Sequence, residues 1–415
     1  MASLCEDEVF HIFSWLPAKS VCKLKSICTS FLDFSGETLF CMQQAQNMLL
    51  KDDTCFIVQP DTIQRYNDRI EIHPLPQQEL SSGVPKNFLT FLGKSARILA
   101  SSNGLVLCRS TTKSPVELFI CNPVSQTWLP IPTPTCVHET PDADINLFFE
   151  CINKDLDFDD YRIFLIDKPP EWSSFLDLKV YFPKEGVWQA MERSFFIGSR
   201  SMRLEMPVYL HSSLHFISNS FDYIDRRSPY FRPYIMAYNF ESCQSRMYRL
   251  PNDARKGSNH ESCDMGIFEW GKVRSLDHSI CLVRYMKFVF TIWVLVDYES
   301  NLWRKILKIR LKAMGLKEED PRVQGFTIMN GDSLIFATKK NVYGFDLSGK
   351  NSWRLREICE HEWETRVCFT SYSNTLRPCG TGASTFPDYV MASAYLSEDN
   401  TTSALCTSAY PSNAM

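Results

Sequence analysis

The sequence predicts a mainly β fold with a small α-helical domain at its N terminus, and three observations predict it. Residues 1–48 carry helical periodicity, and residues 52–380 are rich in aromatic and β-branched residues broken by Pro, Gly, Asn and Asp. Through that long middle region one plan recurs: an apolar strand, a turn, a second strand, a short turn and then usually Trp. The remaining residues, 381–415, are dominated by Ser, Thr and Ala and cannot bury enough surface to offset their chain entropy, so a flexible tail is expected. With 44% hydrophobic and 22% charged residues over 415 positions, the balance is that of a globular protein with room for more than one unit.

In the first region Ser3 and Glu6 are spaced as a capping box, and Val9, Ile12, Phe13 and Leu16 follow at i, i+3, i+4 and i+7. That is one helix face. Pro17 ends it, and a second periodic stretch turns Val21, Leu24, Ile27, Cys28 and Phe31 one way and Lys19, Lys23 and Lys25 elsewhere. Phe10 and Trp15 fall off the first stripe, so apolar groups occupy more than one side. A unit this short seldom builds an adequate core alone, and the expectation is that another protein covers these side chains.

The repeat in the middle region shows once the turns are aligned: ICNPVSQTW (Ile120–Trp128), VYFPKEGVW (Val180–Trp188), AYNFESCQSRMY (Ala237–Tyr248), LVDYESNLW (Leu295–Trp303) and GFDLSGKNSW (Gly344–Trp353). Trp128, Trp188, Met247, Trp303 and Trp353 are separated by 60, 59, 56 and 50 residues, a period suited to a four-stranded antiparallel sheet with its loops. Radial stacking of such sheets makes a β-propeller, which protects strand edges; a sandwich gives no reason for the period. Five blades are readable directly, and residues 54–76 with 368–378 supply a sixth by pairing the two ends of the domain. FVFTIWVLV (Phe288–Val296) reads as a buried strand, being about half the length a membrane-spanning helix needs. WRKILKIRLK (Trp303–Lys312) reads as an outer strand with one solvated face.

Catalytic signatures are missing: no GxGxxG, no phosphate-cradling GxxxxGK[ST] and no GxSxG elbow occur. His211 and His215 have metal-ligand spacing for a helix, but YLHSSLHFIS alternates like a strand, so both read as strand histidines. The acidic run NKDLDFDD (Asn153–Asp160) lacks the Gly and distal Glu of a calcium loop and reads as a solvated loop before YRIFLI. Cys136 with His138 and Cys359 with His361 have too little spacing to imply geometry, and the cysteines read as buried or bystander thiols. No cofactor and no metal are expected. A net charge of -4 with dispersed basic residues argues against nucleic acid or a membrane as partner. The acidic MASLCEDEVF start and the absence of CxxC pairs predict an intracellular chain, cytoplasmic or nuclear, with reduced cysteines. The polar stretches Asp222–Pro233 and Pro251–Cys263 are candidate recognition loops on one propeller face.

LCEDEVFHIFSWLPAKSVCKLKSICTSF, Leu4–Phe31, closely resembles an F-box, in register without a gap at Leu4, Asp7, Ile12, Leu16, Pro17, Lys19, Ser20, Val21, Lys23, Ile27, Cys28 and Ser30. SSNGLVLCRS (Ser101–Ser110), ELFICNPVSQTWLPIP (Glu117–Pro132), DDYRIFLI (Asp159–Ile166), TIWVLVDYESNLWRKILKI (Thr291–Ile309) and NVYGFDL (Asn341–Leu347) resemble the F-box-associated repeat region of large plant families of such proteins. The GlyGly doublets of strict kelch repeats are absent, so kelch-like describes architecture alone.

The resemblance implies an F-box helical domain over 1–48, an F-box-associated β-propeller over 52–380 and the tail over 381–415. It implies a non-catalytic substrate-recognition subunit of an SCF-type ubiquitin ligase. Leu4, Ile12, Leu16, Pro17, Val21, Leu24, Ile27 and Phe31 would bind a Skp-family adaptor, and through it cullin and RING subunits, while the propeller holds an unidentified target protein. Cys5 stands where the family usually has Pro and Phe31 where it commonly has Trp, which motivates a second reading: a protein- or glycan-binding scaffold with a degenerate F-box.

Overall fold

The computed structural model describes residues 5–25, 36–61, 70–79, 96–110, 116–134, 146–152, 157–169, 171–220, 224–258, 262–271, 278–319, 321–349 and 354–385. Among the described residues three helices open the chain: α1 (Glu6–Ser14), α2 (Ala18–Lys25) and α3 (Thr38–Met48). α1 begins later than the expected Ser3–Glu6 box: Cys5 occupies the N-cap, and its amide donates to the Glu8 carboxylate at 2.9 Å. Pro17 has no amide to continue α1, and its carbonyl instead accepts the first α2 bonds from Ser20 and Val21 at 2.8 and 3.1 Å.

Six antiparallel sheets follow, as the period predicted. β1 (Cys55–Pro60) and β2 (Glu71–Pro74) lead, and the first complete blade is β3 (Ala96–Ser102), β4 (Leu105–Ser110), β5 (Leu118–Asn122) and β6 (Thr127–Ile131). The second is β7 (Asn146–Cys151), β8 (Tyr161–Asp167), β9 (Phe175–Phe182) and β10 (Val187–Ala190), with β11 (Phe195–Phe196) also on β9. The third is β12 (Val208–Leu210), β13 (Ser213–Ile217), β14 (Tyr234–Asn239) and β15 (Gln244–Arg249), and it leads through α4 (Asn252–Arg255) to the fourth. That blade is β16 (Cys263–Trp270), β17 (Ser279–Met286), β18 (Val289–Asp297) and β19 (Leu302–Arg310). Past α5 (Leu311–Met314) the fifth is β20 (Gly325–Met329), β21 (Ser333–Ala337), β22 (Asn341–Asp346) and β23 (Leu355–Glu360).

The sixth sheet has the order β2–β1–β24, where β24 is Val367–Tyr372. Cys55 pairs with Tyr372 and Pro60 with Val367, so the two ends of the domain close the ring as expected. Innermost strands neighbour one another, β24 with β3, β3 with β7, β16 with β20 and β20 with β24.

The recurring Trp marks one structural position. Trp128, Trp188, Met247 and Trp303 all lie on the fourth strand of their blades, opposite Cys121, Tyr181, Met236 and Leu295; Trp353 lies outside the described residues. Trp188 donates its indole N–H to the Pro132 carbonyl at 2.6 Å, and Trp303 donates to the Arg249 carbonyl at 3.0 Å, in each case onto the chain leaving the preceding blade. Aromatic rings fill the wedges: Phe164 meets Phe240 at 4.4 Å between blades two and three, Tyr248 meets Tyr298 at 4.9 Å between three and four, and Phe290 meets Phe326 at 5.7 Å between four and five. β18 is buried through most of its length and β19 alternates outward, as their sequences predicted.

Beyond β24 the chain crosses the first blade. Thr375 donates its hydroxyl to the Asn103 carbonyl at 2.8 Å, and the Asn122 amide donates to the carbonyls of Thr375 and Arg377 at 3.1 and 2.7 Å. The crossing passes over the Asn103–Gly104 turn, where Gly104 has φ +84° and a Cβ would stand 1.9 Å from Thr375 Oγ1. Glycine is required there. The same segment ends in β25 (Ser384–Thr385), paired with β6, so residues 381–385 belong to the propeller edge and the sequence boundary at 381 falls too early. Residues 386–415 lie outside the described residues. The acidic loop is also more than solvated: buried Arg377 reaches the carbonyls of Asp157, Phe158 and Asp160 at 3.2–3.5 Å.

Candidate functional site

The helical layer is where the sequence concentrated its expected contacts. α1 and α2 meet at the Pro17 break, and α3 lies against both. Ala18, Val21 and Phe40 form a buried core with Leu376 of the crossing segment, flanked by Phe10, Phe13, Leu16, Leu24 and Val124. Phe10 meets Phe40 edge-on at 5.3 Å. Two buried amides on α3 do the polar work at this junction. Gln44 donates to the Leu16 carbonyl at 3.1 Å and accepts from the Leu376 amide at 3.0 Å, while Asn47 donates to the Ser14 hydroxyl at 2.8 Å. The α1–α2 break leaves the Leu16 carbonyl outside any helix ladder, and Gln44 supplies its partner.

The structure separates the predicted adaptor contacts. Ile12 is 51% exposed, Leu16, Pro17 and Leu24 are half-buried, and Val21 is fully buried in the internal core beside Phe40. Leu4, Ile27 and Phe31 lie outside the described residues. Part of the apolar excess is therefore covered from within the chain, by α3 and by the propeller. Sequence reasoning missed α3 as the cover because its QQAQN run looks like a solvated face. Its only sequence signal is that Phe40, Met42, Ala45 and Met48 are apolar among those amides. Leu39 and Leu50 on and after α3 are exposed as Ile12 is.

The two ends of the propeller differ. Turns between first and second and between third and fourth strands share one end, and Val124 in the β5–β6 turn places the helical layer there. The opposite end carries the turns between second and third strands and the passages from blade to blade. Both candidate recognition loops lie on it: 224–233 joins β13 to β14, and 250–258 joins β15 to β16. They meet around a pocket of about 190 Å³ lined by Arg226, Arg232, Arg249 and Arg255.

His211 sits with Ser212 in the β12–β13 turn, both at positive φ, so the turn and not a strand carries it. His215 is in β13 and wholly buried, with Nδ1 3.1 Å from the Val208 carbonyl and Nε2 2.5 Å from the Tyr298 hydroxyl. Burial above all, with a smaller push from the like charge of His211, brings its pKa down to about 4 against the opposing hydrogen bond to the Val208 carbonyl, so the neutral ring donates to Val208 and accepts from Tyr298. The pair makes no metal site. One donor trio escaped sequence reasoning: Glu71, His73 and Cys359 bring their ligand atoms within 4.8 Å, with His73 Nε2 2.7 Å from the Glu71 carboxylate. Glu71 and His73 share β2, while Cys359 is distant in sequence and meets them only where the β2 and β23 edges approach. His361 instead stacks on Trp363 at 5.0 Å. Cys136 and His138 lie outside the described residues, and none of the described cysteines is in a disulfide. No helix among the described residues is long and apolar enough to cross a membrane.

A family profile described as F-box protein At3g26010-like, beta-propeller, matches residues 61–318. The chain is similar to F-box protein At5g49610 of Arabidopsis thaliana, 23% identical over 402 residues, covering 91% of this chain and 98% of that protein. Among solved structures it is similar to oligogalacturonate lyase from Vibrio parahaemolyticus, at 9% identity and TM-score 0.35, over 64% of this chain and 79% of that one. It is also similar to acylaminoacyl peptidase from Pyrococcus horikoshii, at 11% identity and TM-score 0.36, over 74% of this chain and 46% of that one. At such TM-scores the likeness says nothing about chemistry.

Proposed function

The chain belongs to the family of F-box proteins with an At3g26010-like beta-propeller, and from that premise we propose that it is the substrate receptor of an SCF-type ubiquitin ligase inside the cell. The observation that carries this reading is the separation of two surfaces. The helical layer occupies one end of the propeller, and among the described residues no other element covers the opposite end, which carries both candidate recognition loops. A Skp-family adaptor binds the helical layer around exposed Ile12, with Leu16, Pro17 and Leu24 at its margin, and brings cullin and RING subunits with it. The target protein binds the opposite end. Holding target and conjugating enzyme in one assembly raises their effective concentration, so the receptor needs no acid, base or nucleophile of its own.

Val21 takes part indirectly in this scheme, by fixing α2 against Phe40. The test is capture of a purified Skp-type adaptor by the full chain and by Ile12→Glu. The variant should lose at least tenfold in affinity with unchanged melting, because Ile12 is exposed and its replacement empties no core. Equal capture by both proteins refutes the docking site. The second reading, a binding scaffold with a degenerate F-box, draws on the internal burial of Val21. It gains if the wild-type chain itself shows no affinity for the adaptor.

A further inference from the structure

The arginine pocket lies on the propeller end away from the helical layer, and no ion pair among the described residues compensates its charge. Among the described residues Arg226, Arg232, Arg249 and Arg255 make no ion pair, although eleven other ion pairs are present. Among the described carboxylates of the two loops, Asp253 pairs with Lys305 and Lys256, and Asp225 accepts from the Arg227 backbone amide. Burial, then the charges of Arg249 and Arg232, hold the Arg255 guanidinium below its usual range. Its Nε is buried with no hydrogen-bond partner among the described residues.

Each loop is braced from beneath by a buried arginine of its own. Arg200 donates to the carbonyls of Tyr230 and Asn219 at 2.8 and 2.9 Å and to that of Phe231. Arg284 donates to the carbonyls of Asp253 and Lys256 at 2.8 and 2.7 Å. The loops are then tied to each other, Arg232 donating to the Arg255 carbonyl at 2.9 Å. Four cations are thereby gathered on a fixed frame, an arrangement suited to an anion with several acceptor oxygens.

We propose that this pocket binds a phosphate monoester carried on a side chain of the target protein. A phosphate monoester brings about two negative charges and three strong acceptor oxygens, and converging guanidiniums meet it as forks rather than as point charges. A single carboxylate has half that charge and leaves guanidinium donors unmatched. This assignment rests on the receptor reading for the source of the phosphate, and the pocket's anion chemistry stands apart from it.

The experiment uses the purified full chain and a mixture of phosphoserine peptides with randomised flanks, followed by fluorescence anisotropy. Controls are the dephosphorylated mixture, the same mixture with glutamate in place of phosphoserine, and inorganic phosphate as competitor. Arg226→Glu with Arg249→Glu is the variant of choice, because it spares the structural bonds of Arg232 and Arg255. Expected are saturable binding of the phosphorylated mixture at least tenfold tighter than either control mixture, loss of that preference in the variant, and unchanged melting. Equal binding of the glutamate mixture, or equal binding by wild type and variant, overturns the proposal. Inorganic phosphate binding as tightly as the peptides overturns the assignment to a phosphorylated target. Adaptor capture through Ile12 is read at the opposite end, so either result can fail without the other.

Discussion

Trp303 and Gln44 each hold a neighbouring element by donating to a backbone carbonyl, yet they belong to regions built on opposite principles. In the propeller the contact recurs: Trp188 does for its blade what Trp303 does for its own, and aromatic wedges repeat between blades. In the helical layer every contact is singular. Gln44 joins the one helix break to the one crossing segment, and Leu376 completes a core that no other part of the chain resembles. A repeated solution spreads stability over many similar interfaces, whereas a singular one depends on a few polar matches.

The sharpest way to break this contrast is at a wedge. Phe290 is fully buried and meets Tyr285, Phe326 and Phe336 at 4.9–5.7 Å across blades four and five. Phe290→Ala should cost about 3–5 kcal/mol in chemical denaturation and lower the whole propeller's transition, because one wedge serves two blades. Loss of only a local signal would show the blades to be independent.

Next is protonation of His215 at the wedge between blades three and four. Its folded pKa of about 4 lies below the ordinary 6.5, so its contribution is complete above about pH 6.5 and disappears as pH falls through about 4. The difference is on the order of 3 kcal/mol. Denaturation midpoints followed from pH 7 to 4 should fall more steeply for the wild type than for His215→Gln, and parallel curves would exclude the histidine as the sensor. The smallest effect is expected in the singular region. Gln44→Leu leaves the Leu16 carbonyl and the Leu376 amide without their partner, at about 1–3 kcal/mol, and should speed hydrogen exchange in residues 6–48 while sparing the blades. Faster exchange throughout the blades would instead make the helical layer part of one cooperative unit.

The same contrast explains what could be read from sequence. Trp128, Trp188 and Trp303 carry a period because each sits at an equivalent outer strand, and from the period follow the blades and the ring closure by residues 54–76 and 368–378. Helical periodicity likewise gave α1, the Pro17 break and α2. It could not give the burial of Gln44 and Asn47, since an amide buried against a distant carbonyl and a solvated amide have the same local pattern. The arginine pocket was half legible. Both loops stood out as polar recognition stretches, but Arg226 and Arg255 converge only because β14 and β15 fold back between them.

Closure by pairing β1 with β24 sets an order of events during synthesis. The ribosome delivers the helices first, Val124 with the first complete blade, and their docking residue Leu376 only after the last blade has emerged, so through most of translation α1 to α3 lack part of the surface they rest on. Their seating reports that the ring is complete, and a polypeptide cut short before Val367 would carry the helical unit beside an open, unsealed propeller.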